Sequence, residues 1–177
     1  MRTEEIRKWI EEGGDLPQDL TPKEKEHLEG LEWEEGRGYN NGQLWYEYNF
    51  LHGKKHGVHR RWYDNGQLES EGNSLHGKPH GVSRKWYDNG QLKLEESYLH
   101  NMPHGKCRKW YDNGQLQHEY SYLHGVSHGA QRKWYGNGQL QHEIGYLHDI
   151  LHGVYRSWRS NGQLWRDEEW FYGNRIK

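Results

Sequence analysis

The tetrapeptide Asn-Gly-Gln-Leu begins at Asn41, Asn65, Asn89, Asn113, Asn137 and Asn161, always 24 residues apart and with no insertion between copies. A chain this self-similar repeats one supersecondary unit, and each copy finds its packing partners in the copies beside it. Other positions hold the same phase: Trp62, Trp86, Trp110, Trp134 and Trp158; Arg60, Arg84, Arg108, Arg132 and Arg156; Leu51, Leu75, Leu99, Leu123 and Leu147. Asn-Gly between alternating runs is the strongest short hairpin signal, because a type I′ turn takes positive φ at both central residues. Each Asn-Gly is therefore predicted to be a two-residue hairpin tip. The opposite end of each unit reads Leu-His-Gly-x-x-His-Gly, as from Leu51 to Gly57, where two glycines bracket a short loop. One unit then supplies two strands, for example 58–64 and 67–75. The expected fold is mainly β: an elongated, twisted, single antiparallel sheet of about eleven strands in meander order, roughly 50 Å across at ~4.8 Å per strand.

A two-residue turn at Asn65-Gly66 would pair Tyr63 with Leu68, Trp62 with Glu69 and Arg60 with Glu71. The same arithmetic joins Arg84 to Glu95, Arg108 to Glu119, Arg132 to Glu143 and Arg156 to Asp167. Opposite charges at every such crossing support the register. Alternation places the Trp62, Arg60, Val58, Glu71 and Leu75 rows on one face, which is expected to curl inward because packing demands repetition. The other face carries the Tyr63 and Leu68 rows and the Lys85, Lys109, Lys133 row. It also carries two rows that change from unit to unit: Tyr46, Ser70, Leu94, His118, His142, Arg166 and His59, Ser83, Cys107, Gln131, Tyr155.

Residues 1–33 fall outside the period and read as a helical N-terminal cap. Thr3 caps a helix that Gly13-Gly14 ends, and Thr21, Pro22 and Glu24 supply a cap, a first-position proline and a capping-box acid for a second one. The repeat array occupies 37–173, as five full units and a partial one. At its far end Trp165, Trp170, Phe171 and Tyr172 form an aromatic edge open to self-association or to a partner strand.

Leu, Ile, Val and Phe together number 28, yet the chain carries 10 Trp and 13 Tyr at a net charge of only -2. Disordered chains are aromatic-poor and strongly charged, so these aromatics indicate a folded chain with an unusual core. A single cysteine, Cys107, excludes an internal disulfide. No apolar run approaches the ~18–20 residues that cross a bilayer, and the first residues are charged rather than a signal stretch. A location in the cytoplasm or at a membrane periphery, rather than secretion, is the expectation. Residues 1–36 hold 12 acids against 5 bases, leaving 14 against 19 in the remainder. A mild excess of +5 spread over that length speaks against nucleic acid, which calls for a concentrated patch.

The unit Tyr-Asp-Asn-Gly-Gln-Leu-x-x-Glu-x-x-Tyr-Leu-His-Gly-x-x-His-Gly-x-x-Arg-Lys-Trp resembles the variant MORN (membrane occupation and recognition nexus) repeat over about three quarters of the chain. Its Gly-x-x-His-Gly core stands at Gly53–Gly57, Gly77–Gly81 and Gly125–Gly129, with Asn101 and Asp149 replacing the first glycine in two units. The glycine two residues after His-Gly in the common form is absent, as Val58-His59 shows, so the likeness is to the longer variant of bacterial antitoxin-like immunity proteins and large DNA virus proteins. The resemblance implies a twisted single-layer sheet that serves as scaffold or protein-binding surface. It implies no activity.

Ten of the 14 histidines form two ladders, His52, His76, His100, His124, His148 and His56, His80, His104, His128, His152. Like histidines of adjacent units would lie ~10 Å apart, too far to share a metal ion, and no carboxylate or thiol completes a ligand set. They read as structural loop residues, with metal binding and pH sensing as alternatives. Cys107 sits beside Lys106 and Arg108, which can lower a thiol pKa, but the position varies among units and no base accompanies it. No catalytic residue, metal ligand or cofactor is assigned. The candidate partner surface is Tyr63, Lys85, Tyr87, Lys109, Tyr111, Lys133 and Tyr135, rings flanked by cations that suit a protein partner first and an anionic membrane second.

Overall fold

The computed structural model describes residues 33–177, together with Glu5, Ile6 and Lys8. The helical cap expected over 1–33 otherwise lies outside the described residues. From Trp33 onward the chain forms one antiparallel sheet of seventeen strands, five of them only two residues long. In chain order these are β1 (Trp33–Asn40), β2 (Gln43–Leu51), β3 (Lys54–Lys55), β4 (Gly57–Trp62), β5 (Leu68–Leu75), β6 (Lys78–Pro79), β7 (Gly81–Trp86), β8 (Leu92–Leu99) and β9 (Met102–Pro103). They continue as β10 (Gly105–Trp110), β11 (Leu116–Leu123), β12 (Val126–Ser127), β13 (Gly129–Trp134), β14 (Leu140–Leu147), β15 (Ile150–Trp158), β16 (Leu164–Phe171) and β17 (Asn174–Arg175). The long strands pair in sequence order, β1 with β2, β2 with β4, β4 with β5, and so on to β15 with β16. No ladder among the described residues joins the first strand to the last, so the sheet is open.

The Asn-Gly tips depart from the two-residue expectation. Only Asn41-Gly42 has positive φ at both residues, 50° and 80°. At the other five tips the glycine alone is left-handed, as at Gly66 with φ 84°. There the Gly66 amide donates to the Tyr63 carbonyl at 2.9 Å and the Tyr63 amide to the Gln67 carbonyl at 2.8 Å. This is a three-residue loop, a type I turn closed by a left-handed glycine. The asparagine is held by its side chain instead: Asn65 Oδ1 accepts from the Gln67 amide at 3.0 Å and Asn65 Nδ2 donates to the Asp88 carbonyl of the next unit at 2.9 Å.

The extra loop residue changes the register nearest the tip and is then absorbed. Trp62 faces Leu68, not Glu69, and a bulge returns the strands to Arg61 with Ser70 and Arg60 with Glu71. The same bulge recurs in every later hairpin. The ion-pair register therefore stands as expected, while Tyr63 does not face Leu68. Because cross-strand partners share a face, the Leu68, Leu92, Leu116, Leu140 and Leu164 row joins the tryptophans on the arginine–glutamate face rather than the tyrosine face. In the first hairpin the shorter turn moves the pairing by one, and Arg37 meets Glu47.

The opposite turns are the two-residue ones. His52 and Gly53 both have positive φ, 50° and 67°, and so do His100 with Asn101 and His148 with Asp149. Histidine, asparagine and aspartate enter the left-handed region far more readily than branched residues, which explains why Asn101 and Asp149 can stand where other units have glycine.

Only Leu51 and Ile6 are buried apolar side chains among the described residues, and the strand residues of both faces are largely half-buried. A single layer leaves each face partly open. Cohesion comes from contacts between adjacent units. Tyr63, Tyr87, Tyr111 and Tyr135 each donate a hydroxyl hydrogen bond of 2.8–3.0 Å to the carbonyl of the next unit's tryptophan. The arginine–glutamate pairs also run on between units: Arg60 reaches Glu71 at 2.8 Å and Glu47 at 3.6 Å, Arg108 reaches Glu119 at 2.8 Å and Glu95 at 3.5 Å, and Arg132 reaches Glu143 at 2.7 Å and Glu119 at 3.4 Å.

Candidate partner-binding surface

Among the sequence-predicted site residues, the tyrosines of the Tyr63 row spend their hydroxyls on the carbonyls just described and are half-buried. Burial raises the pKa of Tyr63 and Tyr87, with nearby carboxylates adding to it. Their first role is to staple units together. Lys85 and Lys109 are exposed and Lys133 is half-buried. Lys109 and Lys133 lie across from His118 and His142. Burial is the first cause lowering the pKa of both imidazoles, followed by Lys133 and Lys109 at His118 and by Lys133 and Arg166 at His142. Each imidazole is also hydrogen-bonded, His118 Nδ1 with the Tyr120 hydroxyl at 2.8 Å and His142 Nδ1 with the Ser157 hydroxyl at 2.9 Å.

The register adds two further varying rows to this face: Gly72, Glu96, Tyr120, Ile144, Glu168 and Ser74, Tyr98, Tyr122, Tyr146, Trp170. Chemistry here changes with each unit. Near the start, Tyr48 stacks on His59 at 5.9 Å with the Lys55 ammonium 4.0 Å above the ring. In the middle, the Tyr98 hydroxyl donates to Glu96 at 3.1 Å and the Cys107 thiol lies 3.9 Å from the same carboxylate. At the end, Glu168 binds Arg166 at 2.9 Å and Arg175 at 3.2 Å, and the Arg166 guanidinium lies 3.9 Å from the centre of the Tyr155 ring.

Lys106 and Arg108 do not activate Cys107. Both turn to Glu119, at 3.2 and 2.8 Å. Burial, and after it Glu96, push the thiol pKa up to about 11. A thiol in that condition is a poor nucleophile.

The histidine ladders pair in a way that like-with-like spacing hides. Each second-ladder ring meets the first-ladder ring of the next unit: His56 with His76 at 5.0 Å, His80 with His100 at 6.1 Å, His104 with His124 at 4.9 Å and His128 with His148 at 4.9 Å. His152 closes the column on Phe171 and Tyr172. Nδ1 of His104 accepts from the His124 amide at 3.4 Å, which requires that nitrogen to be unprotonated. No three metal-ligating side chains converge among the described residues.

At the far end, Trp165, Phe171 and Tyr172 are more than half exposed. Trp170 is half-buried, its Nε1 donating to Glu168 at 3.1 Å. The tail folds back to pair Arg175 with Trp170 and Asn174 with Phe171, so the edge is covered there by its own chain.

Four consecutive segments, 55–76, 79–100, 103–124 and 127–148, match the family described as MORN repeat variant. No curated protein matches the chain.

Proposed function

Because the chain belongs to the MORN repeat variant family, we propose that it is a non-catalytic scaffold whose varying face holds a protein partner, in the manner of an adaptor or an immunity-type module. The observation that carries this reading is the division of labour between the faces. One repeats Trp, Leu, Arg and Glu in register, whereas the other presents a different set of half-buried rings and charges in every unit. A lipid headgroup layer is laterally uniform and would be served by a repeated cationic row, but a protein epitope is not uniform and rewards positions that differ.

Affinity capture from the native host, repeated with Tyr155→Ala and Leu94→Glu variants, tests it. A protein that co-purifies with the parent chain and is lost with either variant supports the reading. Salt-sensitive flotation with phosphatidylserine vesicles, abolished by replacing Lys85, Lys109 and Lys133, would instead establish a peripheral membrane adaptor.

A further inference from the structure

Glu96 is set apart from the other carboxylates of the sheet by its partners. Its sequence neighbour Glu95 takes Arg84 at 2.9 Å and Arg108 at 3.5 Å on the opposite face. Glu96 receives, among the described residues, only the Tyr98 hydroxyl, at 3.1 Å, and the Cys107 thiol, at 3.9 Å. Among the described residues no lysine or arginine lies within ion-pair distance of it. Burial first, and then Glu96 itself, raise Tyr98 to about 12 and Cys107 to about 11, so both stay neutral donors and the carboxylate charge is left unbalanced.

Space is provided beside it. Tyr98 stands across from Gly81 and Tyr122 across from Gly105, and neither glycine fills the face opposite the ring. The result is a cleft of about 80 Å³ whose lining includes Glu96, Tyr98, Pro103, Cys107, Tyr122 and Lys106, the Lys106 ammonium being engaged by Glu119 at 3.2 Å. Aromatic rings around a half-buried carboxylate are complementary to an organic cation, by ion pairing and by attraction to the ring quadrupole.

The far end of the array shows what this register position does when cations are supplied. Glu168 stands three units beyond Glu96, and Trp170 stands where the earlier unit has Tyr98, donating to Glu168 at the same 3.1 Å. There the carboxylate takes Arg166, from the position held by Leu94 in the earlier unit, and Arg175, delivered by the tail on the side where β10 offers Glu96 only a thiol.

We propose that Glu96, Tyr98, Tyr122 and Cys107 form a recognition site for a guanidinium or alkylammonium group, carried either by a side chain of a protein partner or by a small organic cation. The site deepens the partner-binding reading and rests on it only for the protein source.

The test is a titration of the full chain with ethylguanidinium chloride against sodium chloride at equal ionic strength, followed by the ring resonances of Tyr98 and Tyr122. Saturable shifts with ethylguanidinium alone, weakened at least tenfold in Glu96→Gln, support the site. Leu94→Arg, which supplies an internal cation as Arg166 does at Glu168, reduces binding similarly, and Arg175→Ala adds a second response at the Trp170 indole. A capped arginine peptide bound at least tenfold more tightly than ethylguanidinium identifies a protein side chain as the source, and equal binding identifies a free cation. Identical responses to both salts, or binding unchanged in both Glu96→Gln and Leu94→Arg, would overturn the proposal. A partner captured equally by the parent and Glu96→Gln would remove the site from partner recognition while leaving the scaffold in place.

Discussion

Glu119 is the carboxylate on which the inter-unit charge ladder converges, and neutralising it has a consequence that can be worked out. It is only 7% exposed, spans β10 to β13, and accepts from Arg108 at 2.8 Å, Lys106 at 3.2 Å and Arg132 at 3.4 Å. Burial on its own would raise its pKa, but the hydrogen bonds and the positive charges of Arg108 and Lys106 together outweigh it and hold the group below the ordinary carboxylate range. A hydrogen bond to a charged group contributes ~1.5–3 kcal/mol. Its partners are 34% to 50% exposed, which lowers the gain through solvent screening. Glu119→Gln, which keeps the shape and removes the charge, is therefore expected to cost about 2 kcal/mol at pH 7. With a urea dependence of ~2 kcal/mol/M for a chain of this size, the midpoint falls by about 1 M. Since the folded pKa is depressed, the stabilisation is fully present above the unfolded value, ~4.3, and is lost as pH falls through the folded value. The gap between parent and variant should hold steady from pH 8 to about 5 and close below ~4. Glu69→Gln, whose partner Arg61 lies at 3.5 Å with both side chains more than a third exposed, serves as the control and should shift stability by less than ~0.5 kcal/mol. A Glu119→Gln midpoint within 0.2 M of the parent, or a gap undiminished at pH 3, would refute the reasoning, by the same ~2 kcal/mol/M conversion.

Other outcomes follow from single contacts. Tyr87→Phe removes the 2.9 Å bond to the Trp110 carbonyl and should cost ~1 kcal/mol in denaturant melts, with faster amide exchange in the unit that follows; unchanged exchange there would deny the staple. His76 has φ 50° at the first position of its turn, so His76→Asn should be near neutral and His76→Val should lower stability by ~1–2 kcal/mol; equal melting temperatures for the two would contradict the turn. Cys107, held near 11, has about a hundredfold less thiolate at neutral pH than a cysteine at its ordinary value of 9.0. Iodoacetamide should modify it correspondingly slowly, and faster in Glu96→Gln; a rate matching an unstructured cysteine peptide would show the thiol to be free of both influences.

What was legible in the sequence depended on whether the signal lay within one unit. Arg60 opposite Glu71 is written in the residues themselves, because charge complementarity repeats at a fixed offset, and the structure keeps that register. The turn chemistry at the Asn-Gly end differs from the two-residue expectation. Asn65 is required for hydrogen bonds from both ends of its amide, to Gln67 and to the next unit's Asp88, rather than for a left-handed backbone, whereas the histidines are the residues with positive φ. The third loop residue and the bulge at Leu68 cancel each other, so the ion pairs give no hint of either, yet together they move a whole leucine row to the other face. Contacts between units were the least visible. The imidazole pairs join residues 20 apart, as His56 and His76 do, and follow from neither ladder's own period. Glu96 carries no signal in the sequence, because its row reads Gly72, Glu96, Tyr120, Ile144, Glu168; only the fold places Tyr98 and Cys107 beside it.

The most direct test of the architecture is excision of one period, residues 113–136, which joins Asp112 to Asn137 in phase and sets Tyr111 against the carbonyl of Trp158. The shortened chain should fold with an unchanged strand signature in circular dichroism and a maximum dimension in solution scattering reduced by about 10 Å, the width of two strands. An unfolded product, or a folded one with undiminished length, would contradict an open sheet that grows by side-by-side addition of equivalent hairpins.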